Sequence, residues 1–198
     1  EISLGLVGSE MCIRDRDYTG AELYGKTIGI IGLGHVGRIV AEYCNAFHMT
    51  VLGYSHKLIE MCSVEQVDLD TLFRDSDIIS LHVPLTDSTR HLINAETFSK
   101  MKPDALLINT SRGGTVDEAA LITALENKDI SGACLDVFET EPLKPDSPLR
   151  DLKNVLLTPH TAGLPDGIKY HKKRYAFFVR NIEKVMRHET PECCLNTV

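Results

Sequence analysis

Three short segments place a charged side chain directly behind a buried apolar run. Asn109-Thr110-Ser111-Arg112-Gly113-Gly114-Thr115-Val116-Asp117 brings in an arginine, then glycines that turn the chain toward a helix. Leu135-Asp136-Val137-Phe138-Glu139-Thr140-Glu141-Pro142 supplies acids, and Leu157-Thr158-Pro159-His160-Thr161-Ala162-Gly163 supplies an imidazole. Arginine can hold a carboxylate bidentately and polarise a carbonyl. Histidine gives and takes a proton near neutrality. A carboxylate beside it stabilises the imidazolium and raises its pKa. Taken singly, each residue also has a plain structural reading. Arg112 reads as a surface ion pair, Glu141 as a solvated loop acid, and His160 after Pro159 as a hydrogen-bond partner. Ligand sites of open α/β sheets nevertheless lie at such carboxyl ends of strands.

A fourth segment, Gly32-Leu33-Gly34-His35-Val36-Gly37, has the pattern G-x-G-x-x-G. Alone it is weak evidence, because glycine is common. Here a buried strand leads in and an amphipathic helix leads out, as a dinucleotide site requires. Gly32 permits the tight turn, Gly34 lets a pyrophosphate approach the backbone, and Gly37 lets the helix pack on the strand. The N–H groups of His35, Val36 and Gly37 at the helix start then bind the anion. The next checkpoint is an acid at the end of the following strand, gripping the ribose 2′-OH. That position is Ser55, followed by His56 and Lys57. A hydroxyl with two potential cations tolerates or attracts a 2′-phosphate. Both NAD and NADP stay open, with NADP favoured; His56 and Lys57 pointing into solvent is the plain alternative.

The elements that must position these groups follow from periodicity. Thr27–Ile31, Thr50–Tyr54, Ile78–His82, Ala105–Asn109, Ala133–Leu135 and Val155–Leu157 read as buried strands. Helices are expected over Val36–Phe47, Asp70–Arg74, Ala95–Met101 and Asp117–Asn127, the last with Asp117 as its N-cap. On the first, Val36, Val40, Tyr43, Cys44 and Phe47 share the face expected to be buried. Strands separated by helices imply parallel pairing through right-handed crossovers. The fold class is therefore α/β, a doubly wound parallel sheet over residues 17–168. A long helix from about Pro165 to His188 and a polar tail close the chain, as a separate segment over 169–198.

Order and spacing together resemble the NAD(P)-binding domain of the D-isomer-specific 2-hydroxyacid dehydrogenases, the phosphoglycerate dehydrogenase-like enzymes. The likeness runs from about Gly25 to about Ile182 and includes the glycine turn, His82-Val83-Pro84-Leu85-Thr86 and the three charged segments. It implies a Rossmann fold and an oxidoreductase acting on the CH–OH group of a D-2-hydroxy acid. Arg112 becomes the substrate arginine, Glu141 the carboxylate partner and His160 the acid/base. Asp136 becomes the residue that holds the nicotinamide carboxamide, and Val83, Pro84 and Thr110 join the cofactor-binding set. His48 and His91 receive no role. Formate dehydrogenases, a related branch, usually carry glutamine where Glu141 stands. A dinucleotide-sensing module like the corepressors related to these enzymes is the competing reading. L-hydroxyacid dehydrogenases fail on the order arginine, glutamate, histidine within one domain. Glyoxylate, hydroxypyruvate, phosphoglycerate and larger 2-oxo acids all remain open as substrates.

Composition bounds the remaining classes. The 198 residues suffice for one sizeable domain or one domain with an appendage. A formal charge of −7 repels phosphate backbones, so no nucleic-acid partner is expected. The basic run Lys169, His171, Lys172, Lys173 and Arg174 reads as a solvated helix face. No apolar run is long enough to span a bilayer. The six cysteines show no zinc-site spacing, so no metal is expected. Cys44 and Cys134 read as small core residues of a reduced, cytoplasmic protein. The family resemblance adds a homodimer through the dinucleotide domain.

Residues 1–16 match nothing that follows and lack the basic start of a signal peptide. Leu6–Asp15 can be encoded by a transposase adapter used to build sequencing libraries. The expectation is an adapter-derived artefact, with natural sequence resuming near Asp17; a variable surface tail is the alternative. The family carries, ahead of this domain, a segment forming most of a substrate domain. That segment is expected to be missing here, leaving Phe177, Phe178, Ile182 and Val185 with an exposed apolar face. The chain by itself is then expected to bind cofactor weakly and turn over little.

Overall fold

Thr27–Ile31 forms β1, flanked on one side by β2 (Thr50–Tyr54) and on the other by β4 (Ile78–Leu81). The computed structural model describes residues 22–163 and 168–192. Successive residues of a strand point to opposite faces, and β1 uses both. Ile28 and Ile30 join a cluster with Leu33, Ala41, Met49 and Val51, whereas Ile31 joins a second cluster on the opposite face. That second cluster includes Leu72 and Phe73 of α2 (Leu69–Asp75), Phe98 of α3 (Ala95–Phe98) and Leu121, Ala124 and Leu125 of α4 (Glu118–Asn127).

The remaining strands are β3 (Glu65–Gln66), β5 (Leu106–Asn109), β6 (Gly132–Leu135) and β7 (Val155–Leu157). Their order across the sheet is β3-β2-β1-β4-β5-β6-β7, with every neighbouring pair parallel. The chain reverses its direction of travel across the sheet between β1 and β4, which creates a switch-point crevice at their carboxyl ends. The doubly wound fold class is thus as expected.

Helix α1 (His35–Ala46) corrects one sequence expectation. Gly37 and Ala41 are its buried residues, with Val40 and Cys44 partly buried. Val36, Tyr43 and Phe47, expected inside, are 57%, 65% and 59% exposed. The physical reason is close approach: a Cβ on Gly37 would overlap the carbonyl oxygen of Gly32. The helix therefore meets the sheet on its smallest residues rather than its bulkiest. Helix α3 is also shorter than expected. It ends at Phe98, and Lys100 and Met101 bond back to Thr97 and Phe98 as tight turns before Pro103. Its start is held by a capping box between Asn94 and Thr97.

Two compact units divide the chain, one up to Leu157 and one from Thr158 onward. In the second, α5 (Ile168–Met186) exposes Phe178, Ile182 and Val185, while Phe177 is half-buried. Glu192 returns onto this helix, its N–H donating to Asn181 Oδ1 at 2.7 Å and its carboxylate lying 3.4 Å from Lys184 Nζ. Residues 1–16 and Pro165 lie outside the described residues, as do the side chains of Lys169, His171, Lys173 and Arg174 from the basic run.

Candidate active site

The glycine turn connects β1 to α1. Gly32 has φ +102°, and a Cβ there would stand 2.7 Å from the carbonyl oxygen of His82. Only glycine combines that backbone conformation with that contact. Gly34, the N-cap of α1, is different: a Cβ on it would meet nothing within 4 Å. Gly34 offers no side chain to the first N–H groups of α1, so the helix start faces an open cradle suited to an anion. His35 and Val36 are exposed at this end, and Gly37 is buried against the turn.

A cleft of about 440 Å³ opens beside the turn. Gly32, Leu33, Gly34 and Arg38 form one wall. Tyr54 at the end of β2 and Ser55, His56 and Lys57 after it line the cleft, as do His82, Val83 and Pro84 beyond β4. The glycine turn, the Ser55–Lys57 segment and Val83–Pro84 therefore line one cleft. An extended, anion-bearing molecule fits this donor set: an unobstructed helix start at one end and His56 and Lys57 at the other.

Sequence reasoning missed several residues here. Arg38 lines the cleft, with its Nε donating to Leu33 O at 3.0 Å. Gln66 of β3 holds the Ser55–Ile59 turn: its Nε2 donates to Ser55 O at 3.1 Å and Lys57 O at 2.9 Å, and its Oε1 accepts from Ile59 N–H at 3.0 Å. No local pattern marks such a residue. His82 follows the same rule as the other polar groups behind strands and was findable that way. Burial pushes its imidazole below the ordinary value of 6.5, and Nε2 lies 3.0 Å from Ser80 Oγ.

Asn109 ends β5 and organises the arginine segment. It is buried, and its Oδ1 accepts from Ser111 N–H at 3.0 Å and Ser111 Oγ–H at 2.9 Å. Its Nδ2 donates to Arg112 O at 3.1 Å. Thr115 Oγ1 donates to the same carbonyl at 2.7 Å. These bonds fix the backbone of Arg112 while its side chain is exposed, with Nη1 donating to Ser111 O at 2.6 Å. Thr110 is exposed on this loop. Asp136, just past β6, is buried, and its N–H donates to Asn109 O at 3.0 Å. Glu141 lies on the next turn, exposed, with Oε1 accepting from Phe138 N–H at 3.1 Å. The arginine loop and the Glu141 loop touch, since Gly113 lies directly against the Phe138 carbonyl. His160, three residues past β7, belongs to the second unit. It is exposed, has φ +53°, and donates its N–H to Thr158 O at 3.1 Å.

No group of three or more histidine, cysteine, aspartate and glutamate residues able to hold a metal occurs among the described residues. Within the same residues, no helix is long and apolar enough to cross a membrane.

The sheet order and the glycine turn define a doubly wound domain of the dinucleotide-binding class. Residues 6–162 match the NAD-binding domain of the D-isomer specific 2-hydroxyacid dehydrogenases, and the chain belongs to that family. It is 45% identical over 183 residues to a glyoxylate reductase of Thermofilum pendens, covering 90% of this chain and 53% of that protein. Among solved structures it resembles a D-lactate dehydrogenase with NAD+ from Lactobacillus jensenii, at TM-score 0.81 and 33% identity over 96% of this chain and 64% of that one. It also resembles an NADPH-dependent glyoxylate/hydroxypyruvate reductase of Sinorhizobium meliloti in complex with NADP and sulfate. There the TM-score is 0.81 at 30% identity, over 93% of this chain and 61% of that one. The chain thus spans about half the length of the curated glyoxylate reductase it matches.

Proposed function

We propose that this chain is the dinucleotide-binding part of an oxidoreductase that reduces a 2-oxo acid to the D-2-hydroxy acid with NAD or NADP. The observation that carries the reading is the unobstructed start of α1 beside Gly34, opening into the cleft bounded by Ser55, His56 and Lys57. The cofactor, when bound, supplies or accepts a hydride. The chain's own residues do the rest. Gly34 and the N–H groups of His35, Val36 and Gly37 hold the pyrophosphate. Ser55, His56 and Lys57 surround the adenosine ribose, where two potential cations favour NADP. Asp136 and Thr110 orient the nicotinamide end, and Val83 and Pro84 form an apolar wall.

Arg112 holds the substrate carboxylate, and the rigid backbone beneath it limits the entropy lost on binding. His160 gives the carbonyl oxygen its proton, and Glu141 is the acid assigned to support the imidazolium. The small-molecule partner is therefore a 2-oxo or 2-hydroxy acid. Homodimerisation through the dinucleotide domain and a cytoplasmic location complete the proposal. The exposed Val36 and Tyr43 on α1 and Phe47 at its C-terminal cap supply apolar surface for a subunit contact. Residues 1–16 remain assigned to an adapter-derived sequence, and resequencing the source gene across that junction tests the assignment.

The function is tested by restoring the upstream segment of the source gene and following NADH and NADPH oxidation with a panel of 2-oxo acids. Turnover that disappears in His160→Ala is the expected result. Cofactor binding without turnover on any 2-oxo acid would overturn it in favour of a sensing module.

A further inference from the structure

The loop that follows β4 reaches across the ends of β5 and β6. His91 stands on it with φ +48°, in the left-handed region. Its N–H donates to Gly114 O at 2.9 Å. Two residues on, Ile93 N–H donates to Thr115 O at 3.1 Å, and Ile93 O accepts from Asp117 N–H at 2.8 Å. Ile93 also forms an isolated parallel bridge with Val116, and both side chains are buried. This backbone is thus stitched to the stretch immediately after Arg112.

The His91 side chain goes the other way. Its Nε2 lies 2.7 Å from Glu139 Oε1, two residues before Glu141. Glu139 is in turn seated at the start of α4, where its N–H donates to Glu118 Oε2 at 3.2 Å and its carboxylate faces Glu118 N–H at 3.5 Å. Phe138 N–H, one residue earlier, is the donor to Glu141 Oε1. The bond from His91 to Glu139 needs a hydrogen on Nε2, present both in one neutral tautomer and in the imidazolium. A half-exposed pair of this kind adds little to global stability. Its consequence is local, because Glu139, Thr140, Glu141 and Pro142 form one exposed turn that the bond anchors at its first residue.

We propose that His91 is a positioning residue for the reaction. Its backbone is tied to the Arg112 loop and its imidazole to the Glu141 loop, so it adds a second tie, at Glu139, between loops that already touch at Gly113 and Phe138. The proposal rests on the oxidoreductase reading for its catalytic consequence, but the mechanical tie stands apart from it. A displacement of about 1 Å at a catalytic group costs on the order of 100-fold in rate, so even partial loosening is measurable.

The test uses His91→Ala and His91→Gln, the latter keeping a side-chain N–H donor. In the chain as it stands, amide hydrogen exchange is read by mass spectrometry on peptides covering Phe138–Glu141 and, as a control, β1 and α1. His91→Ala should speed exchange in the first peptide by roughly 2- to 5-fold, the effect of removing one half-exposed pair. The control peptides should stay unchanged, and His91→Gln should restore most of the protection. With the upstream segment restored, His91→Ala should lower kcat by roughly 10-fold and leave the KM for NADH or NADPH unchanged, again with recovery in His91→Gln. Unchanged exchange at Phe138–Glu141, a uniform rise across all peptides, or a loosened loop with unaltered kcat would each overturn the proposal. A wild-type protein without turnover, whose His91→Ala variant still loosens only that peptide, would sink the oxidoreductase reading and keep the tie.

Discussion

Gly113 lies so close to the backbone of Phe138 that a Cβ on it would overlap the Phe138 carbonyl carbon and oxygen. The arginine loop and the Glu141 loop therefore meet main chain to main chain, with no side chain to give way. Gly113→Ala must push one loop off the other. Overpacking of this kind costs about 1–3 kcal/mol, and a backbone collision sits at the upper end. For a chain of this size that is a fall in Tm of roughly 5–10 °C. Thermal unfolding followed by circular dichroism measures it, and an alanine variant with the wild-type Tm would contradict the close approach.

The glycine turn separates folding from binding within one motif. Gly37→Ala should destabilise, because its Cβ would overlap Gly32 O. Gly34→Ala should not, because its Cβ meets nothing within 4 Å and its φ of −74° suits alanine. Any effect of Gly34→Ala must come from a ligand placed over it. The expected outcome is a Tm within about 2 °C of wild type, since the change amounts only to a weaker N-cap. NADH and NADPH affinity should meanwhile fall by at least roughly 10-fold, as one or more anion-binding hydrogen bonds are disrupted. Isothermal titration with either dinucleotide decides it. Unaltered affinity in Gly34→Ala would remove the pyrophosphate from this cradle.

Much of this architecture is visible in the chain itself, and the exceptions share a cause. β1, β2 and β7 are read to the residue because each is a short, mostly apolar run with turn residues at its ends, although β7 is not the buried strand expected: as the outermost strand of the sheet it leaves Leu156 exposed and Val155 and Leu157 half-buried. The Asp117 cap of α4 follows from a side chain that finds its own partner three residues on, the Ala120 N–H. β3 is invisible because Glu65 and Gln66 are polar; pairing with Leu52 and Gly53 makes them a strand. The buried face of α1 is misread because hydrophobicity favours Tyr43 and Phe47, whereas close packing against Gly32 favours Gly37 and Ala41. At the site, Arg112 and Glu141 are legible as charged groups behind strands. The residues that hold their loops are not: Asn109 acts through local turn geometry, and His91 reaches a glutamate far along the chain.

The His82 imidazole gives the fold a specific response to acid. Burial holds its pKa below 6.5, so the neutral form is favoured in the folded protein. The unfolded chain binds this proton more readily in the interval between the lowered folded value and 6.5. Stability therefore falls as pH drops through that interval and levels off below it. His82→Gln keeps a polar group near Ser80 Oγ without the titration. The wild-type Tm should fall relative to this variant as the pH drops below 6.5. Parallel Tm profiles for the two proteins would show that the ring titrates as it does in the unfolded chain.

In the proposed reading, cofactor choice turns on the segment after β2. Ser55 stands at the position where a carboxylate would grip a ribose 2′-OH, and Lys57 lines the same cleft. Ser55→Asp introduces a charge that repels a 2′-phosphate and can accept from a 2′-OH. It should weaken NADPH by roughly 10- to 100-fold, the range expected when one charge-assisted hydrogen bond is removed or opposed, and leave NADH equal or tighter. Lys57→Ala should weaken NADPH more than NADH in the same assay, because only NADPH carries the phosphate the ammonium can meet. Gln66→Ala provides the geometric control. It releases the turn that Gln66 pins through Ser55 O, Lys57 O and Ile59 N–H, so both cofactors should weaken together. Equal weakening of NADH and NADPH in Ser55→Asp and Lys57→Ala would place the adenosine end of the cofactor away from this turn.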